Sequence, residues 1–377
     1  MARNGFRVTV LEQSERLEET GAGIQLSPNA SRTLIGLGLE DQLRTLAVAP
    51  VAVRVMSAAS GREIVRLPLG EAAERRYGAP YWAIHRGDLQ AALLAAVSRS
   101  PEITLKLGAG VDDYVAHPDS VIVSARCGAG RTEEEGIALI GADGLWSLVR
   151  QRIGYGEPPR FAGRAAWRCL IPAAEVAPEF REPLVYLWLG SDAHLVHYPV
   201  KAGQVINVVV VTAESWSAQG WNEPASRADL VPRLPAGTLA LAARALVGLP
   251  DAWLKWALHD RQPIGRWSRG PVGLLGDAAH PMLPYLAQGA AMAIEDAVVV
   301  AQCMAHQPDK PAAALQTYYA LRNVRTGKVQ RLATRNGRRY HLGGVSGRAR
   351  NMAMRIIGGN QLLRYYDWIY GWRPPAV

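Results

Sequence analysis

Residues 272 to 305 constrain this chain more than any other stretch. A buried apolar run, Val272-Gly-Leu-Leu-Gly276, delivers Asp277 and two small residues, Ala278 and Ala279, ahead of His280-Pro281. The pattern continues through Leu283-Pro284 and Ala287-Gln288-Gly289 to Ile294-Glu295-Asp296, within a helix predicted over Met292 to Ala305. A strand that ends in an acid, then residues small enough for backbone to approach a ligand, then a helix, is the grammar of an open α/β sheet with a ligand at its edge. The Gln288-Gly289 turn opens the helix, and its free N–H groups and positive dipole end suit an electron-rich carbonyl or an anionic ring. Taken alone, the motif also reads as a plain strand–loop–helix with a capping acid.

Two other stretches make the same demand. Gly141-Ala-Asp-Gly-Leu-Trp-Ser147, followed by Val149-Arg150, sets Asp143 and Gly144 just after a strand, facing the place of a cofactor. The β-branched strand Arg7 to Leu11 ends at Glu12, where an acid in a dinucleotide fold accepts hydrogen bonds from a ribose 2′-OH. Gly21-Ala22-Gly23 imitates G-x-G-x-x-G, but Leu26 stands at the third glycine and a polar loop separates it from the strand. Glu12 therefore implies a strand, glycine loop and helix before Met1. The chain is expected to begin one β-α unit, roughly 30 residues, too late.

Between these landmarks, a helix broken near Gly36 and Gly38 is predicted over Ala30 to Leu46. A hairpin is predicted around Ser60-Gly61, and a further helix over Arg86 to Ser98. Short strands at Ile103 to Leu107, Ser120 to Ala125 and Ile137 to Ile140 precede a strand-rich stretch, Trp167 to Thr212. Pro224 to Leu258 reads as helix interrupted by prolines. The expected fold class is α/β: a doubly wound sheet assembled from discontinuous segments, a β-rich insert and C-terminal helices.

Composition excludes several functions. Hydrophobic residues at 49% and charged residues at 20% describe a globular chain, and no apolar run is long enough for a membrane span. Cys127, Cys169 and Cys303 offer neither a disulfide framework nor a zinc cluster, so a reducing, cytoplasmic setting is expected. The net charge of +9 is local: from Tyr318 to Val377 twelve Lys and Arg face a single acid, Asp367. Arg322, Arg325, Lys328, Arg331, Arg335, Arg338 and Arg339 form a helical stripe, read by default as a solvated face. Attraction of an anionic cofactor or a homodimer contact are the alternatives. No reader motif accompanies the stripe, so nucleic-acid binding is not expected. The aromatic run Tyr365 to Trp372 should pack on the body.

These motifs resemble a known family. Val10-Leu-Glu12, Gly21-Ala-Gly-Ile24 with Pro28-Asn29, His85-Arg86-x-Asp-Leu89, Ala142-Asp-Gly144 and Gly276-Asp-Ala-Ala-His280 are similar to those of group A flavoprotein monooxygenases of the p-hydroxybenzoate hydroxylase fold, nearest the salicylate hydroxylase branch. The resemblance covers nearly the whole chain. It implies an FAD-binding domain from 1–70, 81–155 and 264–317, a substrate domain over 156–263 and a basic helical segment over 318–377. It also implies that Glu12 binds the adenosine ribose of FAD, and that Arg32 and Arg86 approach the pyrophosphate or ribityl region. Asp143 and Gly144 would lie near the pyrophosphate, Asp277 on the ribityl chain, and Pro284, Gly289 and Ala290 along the isoalloxazine. NADH or NADPH would reduce FAD and O₂ would supply the oxygen, through a flavin C4a-hydroperoxide, to a phenolic acid such as salicylate. Other rings, 3-hydroxybenzoate, 6-hydroxynicotinate or a quinone precursor, are alternatives, as is a non-catalytic remnant that cannot hold FAD.

In His194-x-x-His-Tyr-Pro199 the resemblance sets His194 and Tyr198 beside the aromatic substrate. Residues four apart on a strand share a face, so both can serve one pocket while His197 faces away. These two are the candidates for orienting the ring and taking its phenolic proton. His280 is expected to organise its loop rather than to act as a base.

Overall fold

The computed structural model describes residues 1–17, 22–128, 130–216, 222–234 and 237–375; Gly21, the first residue of the Gly-Ala-Gly run, lies outside them. The chain opens with β1 (Val8–Leu11), β2 (Gly23–Leu26), α1 (Pro28–Gly36) and α2 (Glu40–Leu46), with the break between the helices where the glycines predict it. The hairpin β3 (Ala52–Ser57) and β4 (Glu63–Pro68) leads through α3 (Gly70–Tyr77) to β5 (Trp82–His85) and α4 (Arg86–Ser98). Next come β6 (Ile103–Lys106), the meander β7 (Ala109–Ala116), β8 (Val121–Cys127) and β9 (Gly130–Gly136), then β10 (Leu139–Gly141) and α5 (Leu148–Arg152). The insert holds β11 (Arg160–Pro172), β12 (Leu184–Leu189), β13 (Ala193–Val200), β14 (Val205–Ala213), β15 (Asn222–Ser226), α6 (Arg227–Leu230), α7 (Leu241–Gly248) and β16 (Ala252–Asp260). The chain closes with β17 (Ser268–Arg269), β18 (Val272–Leu274), α8 (Gly289–His306), α9 (Pro311–Tyr340), α10 (Gly344–Ile357), α11 (Gly359–Arg364) and α12 (Asp367–Tyr370).

The insert forms an eight-stranded sheet in the order β15-β16-β11-β14-β13-β12-β3-β4. Two parts of it, the β3–β4 hairpin and β16, differ from the sequence reading. The β3–β4 hairpin, grouped from sequence with the FAD-binding segments, pairs in parallel with β12, Val53 opposite Val185, because Val55, Ile64 and Val65 find their apolar partner in Leu189. Residues 252–258 form strand rather than interrupted helix, since β16 completes the backbone pairing of β11. One face of this sheet carries Trp167, Trp188, Leu195 and Val208 against Leu246 of α7. The other carries Ala166, Val211 and Trp256 against Leu283 and Tyr285, from the loop that follows β18.

The layer expected to hold the cofactor is made of smaller sheets: β1 runs parallel to β6, and β10 runs parallel to β18, which also pairs with β17. Val149, Val272, Leu274, Val299, Leu315 and Tyr318 seal β10 and β18 beneath α8 and α9. Each such fully buried apolar side chain is worth about 1.5–3 kcal/mol. Met292 and Val329 pack with Leu26 and Leu34, so α8 and α9 are also tied to β2 and α1. The C-terminal aromatics dock as expected: Tyr370 lies edge-on to Tyr77 and Tyr81. Among the described residues no helix is long and apolar enough to cross a membrane.

Candidate active site

β18 carries the chain to Asp277 at the edge of its sheet. Asp277 is accessible to solvent yet has protein packed closely around it. Enclosure raises its carboxyl pKa, while His280 and Arg86 pull the other way. The start of α8 faces it: a Cβ on Gly289 would stand 4.0 Å from Asp277 Oδ1. Gln288 gives that helix no side-chain cap, and its first intrahelical bond runs from Met292 N to Gln288 O. The N–H groups of Gly289, Ala290 and Ala291 thus precede the hydrogen-bonded turn, at the positive end of an 18-residue helix. Pro284 is exposed on the same loop, and Ala290 is half-buried.

The Ala-Asp-Gly motif is joined to this loop by a residue to which sequence gave no role. Asp143 accepts from Ser147 Oγ at 2.5 Å and from Val149 N at 3.0 Å, which starts α5, and Gly144 makes the left-handed turn between them. Arg150 is buried, and its Nη1 donates to the carbonyls of Ala278 and Ala279, each at 3.0 Å. Burial, with Arg261 nearby, brings its pKa down to about 10. The small residues that follow Asp277 are therefore pinned through their own backbone.

Behind α8 lies an ionic scaffold. Glu295 and Asp296 are fully buried; Arg322 Nε donates to Asp296 Oδ1 at 2.7 Å, and Arg325 grips both Glu295 oxygens at 2.7 and 2.8 Å. Arg322 Nη1 also lies 2.6 Å from Glu295 Oε2, a close ion pair without hydrogen-bond alignment. His280 Nε2 meets Asp296 Oδ2 at 2.5 Å, so His280 does organise the loop. Asn29 Nδ2 reaches Glu295 at 2.7 Å and Gln288 at 3.2 Å, which couples α1 to the helix start. This corrects the reading of the basic stripe as a solvated face. Its inner members, Arg322 and Arg325, neutralise buried acids and lie over Trp372 and Trp368; the outer ones, Lys328, Arg331, Arg335, Arg338 and Arg339, are exposed.

The loop after β18 packs, through Leu283 and Tyr285, on one face of the large sheet. His194 and Tyr198 share one face of β13, while His197 lies on the other, stacked on Tyr186 and edge-on to Phe180. Tyr198 is packed against Gly23 so closely that a Cβ there would meet its ring at 2.7 Å, and Gly23 N donates to Asn207 Oδ1 at 2.7 Å. Burial pushes the Tyr198 hydroxyl up to about 12, against the opposing pull of Arg168. His194 sits beneath Tyr285, Tyr340 and His341; burial first, then His341 and Arg164, hold its pKa well below the ordinary value.

Arg168 of β11 was missed from sequence. It lies opposite Val209, two residues along β11 from Ala166, whose row holds Val211 and His194, and two from Leu170, whose row holds Asn207 and Tyr198, so that all share one face. Its guanidinium lies over Trp256, its Nε has no partner, and burial followed by the repulsion of Arg86 lowers its pKa. Arg86, at the start of α4, acts electrostatically on both Asp277 and Arg168. The remaining predicted residues are more remote or already engaged. Arg32 donates to the carbonyls of Trp372 and Tyr77, and Glu12 accepts from Ser14 N at 2.8 Å.

The residues present fit a flavin at the Asp277 end: a solvent-accessible carboxylate, small pinned residues and uncapped N–H groups. Comparison with known proteins agrees. Residues 1–333 match the FAD binding domain family, and the chain belongs to it. Within that family it is a group A FAD-dependent aromatic monooxygenase. It is 36% identical to 3-hydroxybenzoate 6-hydroxylase 1 of Aquipseudomonas alcaligenes, over 98% of this chain and 93% of the relative. It is likewise 36% identical to a 3-amino-4-hydroxybenzoate 2-monooxygenase of Streptomyces platensis, over 100% and 93%. A salicylate hydroxylase substrate complex superposes with a TM-score of 0.79 at 25% identity, over 93% of this chain and 88% of the other.

Proposed function

We propose that this enzyme hydroxylates 3-hydroxybenzoate or a near analogue at the ring carbon para to its hydroxyl, consuming O₂ and either NADH or NADPH. The observation that carries this reading is the end-to-end similarity to a 3-hydroxybenzoate 6-hydroxylase, which favours that ring over the salicylate expected from sequence. Bound FAD supplies the redox and oxygen-transfer chemistry. Asp277 would hold its ribityl chain, and the N–H groups of Gly289 and Ala290 its electron-rich carbonyls, with Pro284 along the ring. Asp143, Gly144 and Arg86 would serve the diphosphate side, and Glu12 the ribose.

The rest of the work falls to the sheet wall. Tyr198 orients the ring and His194 takes the phenolic proton, which makes the ring carbon para to the oxygen a better nucleophile. Arg168, a half-buried cation whose buried Nε has no partner, suits the substrate carboxylate, since a guanidinium binds a carboxylate strongly where water is excluded. Supplying the purified protein with FAD, NADH or NADPH and, in turn, 3-hydroxybenzoate, salicylate and 6-hydroxynicotinate tests the assignment. Hydroxylated product coupled to reductant oxidation on 3-hydroxybenzoate is expected. Turnover of another ring with none on 3-hydroxybenzoate would overturn it. Arg168→Met should raise KM for the acid by about 10- to 100-fold with kcat less affected.

A further inference from the structure

His341 caps the C-terminal end of α9, and neither the motifs nor the reading above uses it. The last carbonyls of a helix lack intrahelical partners, and a histidine side chain can supply one. Nε2 of His341 lies 2.9 Å from Nδ1 of His194, so the two rings share one hydrogen. In a neutral imidazole one nitrogen donates and the other accepts. The arrangement in which Nδ1 of His194 donates and Nε2 of His341 accepts leaves Nε2 of His194 with its lone pair free, and the backbone carbonyl of Gly337, one turn back, supports it by favouring a hydrogen on the other nitrogen of His341.

Both rings are neutral near pH 7: burial dominates in each and brings His341 down to about 4. The pair is also held in place. A Cβ on Gly337 would stand 2.5 Å from Tyr285 Cε2, and Asp192 N donates to the His341 carbonyl at 3.3 Å. The charged groups around the pair are Arg164 on β11, Asp192 between β12 and β13, and Arg350 on α10; Tyr285 and Tyr340 complete the surround.

We propose that His341 is a positioning residue that, by accepting from Nδ1 of His194, fixes the tautomer in which Nε2 of His194 receives the phenolic proton. The inference rests on the reading of His194 given above. In that step the phenolic O–H bond breaks, its electron pair stays on oxygen as phenolate, and the proton bonds to Nε2. The resulting imidazolium keeps its Nδ1–H on His341.

Nitrogen-15 spectra of histidine-labelled protein, assigned with His194→Ala and His341→Leu, test the tautomer without turnover. His194 protonated at Nδ1 and bare at Nε2 is expected in the wild type. The same is expected in His341→Gln, whose amide can accept from His194 and donate to Gly337. A tautomer mixture is expected in His341→Leu. In the FAD-loaded enzyme His341→Leu should lower kcat for product by about 10- to 100-fold with KM little changed, and His341→Gln should recover most of it. Protonation of Nε2 in the wild type overturns the proposal, as does unchanged kcat in a folded His341→Leu enzyme. If His341→Leu does not fold, the wild-type and His341→Gln spectra still decide. A protein that turns over no hydroxybenzoate refutes the substrate reading alone, because the tautomer is read independently.

Discussion

The two ends of the cofactor layer are built to different standards. At the flavin end, the Asp277 loop and the start of α8 rest on sealed ion pairs that join α8, α9 and α1. At the other end, β1 pairs with β6 along one edge among the described residues, Val10 is 40% exposed, and the Glu12 carboxylate binds the backbone of its own turn. On the placement of FAD proposed above, the difference follows what each end would do: a reacting ring has to be held to within a fraction of an ångström, whereas a ribose contact contributes affinity and tolerates more play. Arg322→Leu puts this contrast at greatest risk, because it strands Glu295 and Asp296 as buried, under-compensated carboxylates. It should cost about 3–5 kcal/mol in urea denaturation. Lys328→Ala, on the outer row and lying over Trp368, should cost only about 0.5–1 kcal/mol. Equal losses would mean that the buried pairs are not what distinguishes the flavin end.

Much of the flavin end was legible because its grammar is local. Strand, acid, small residues and helix follow one another from Val272 to Ala305, and α4 begins and ends where His85-Arg86 and Ser98 place it. The ionic scaffold was not legible, since its partners lie about 30 residues apart and cations at helical spacing look like any solvated face. The overlooked signal was on the other helix: two adjacent acids, Glu295-Asp296, in an otherwise apolar stretch need partners if the stretch is buried. The strands β9 and β16 were hidden for a different reason. Gly130-Arg-Thr-Glu-Glu-Glu-Gly136 has little β propensity and is strand because β8 pairs with it, while Trp253, Trp256 and Ala257 recur at helical spacing on a strand buried from both sides. Arg168 and His341 became visible only when sheet register and a helix end brought them to His194 and Tyr198.

The next test acts on affinity. Asp277→Ala should weaken FAD binding by about 10- to 100-fold, the worth of a charge-assisted hydrogen bond, with the far-ultraviolet circular dichroism unchanged. Unaltered retention would remove Asp277 from the site. The same residue gives a signature in pH that the scaffold reverses. Enclosure raises the Asp277 pKa in the fold, so the folded chain holds that proton more tightly than the unfolded one. Stability is then lost as pH rises from the ordinary carboxylate range through the raised value. For Asp296, burial alone would raise the pKa, but His280 and Arg322 outweigh it and the net shift is downward. Its contribution is present above the ordinary range and lost as pH falls toward the lowered value. Asp277→Asn should therefore stabilise the apo protein at neutral pH, and Asp296→Asn should destabilise it there. Effects of the same sign would show that the two carboxylates do not differ as their surroundings require.

The smallest effect belongs to Glu12, and it is informative because it separates two roles. The carboxylate is half-exposed and accepts one backbone hydrogen bond, from Ser14 N at 2.8 Å. Removing so exposed a group should change stability by about 0.5 kcal/mol or less. If the same carboxylate also receives a ribose hydroxyl, Glu12→Ala lowers FAD affinity by about fivefold or more, a loss out of proportion to the change in the fold. Isothermal titration with FAD, set beside urea denaturation of the apo protein, reads the two quantities apart. A variant that loses stability and affinity in step would make Glu12 a turn residue. A variant that loses affinity alone would make β1 a ligand-bearing strand despite its exposed build, and would confine the demand for a rigid scaffold to the end where the chemistry takes place.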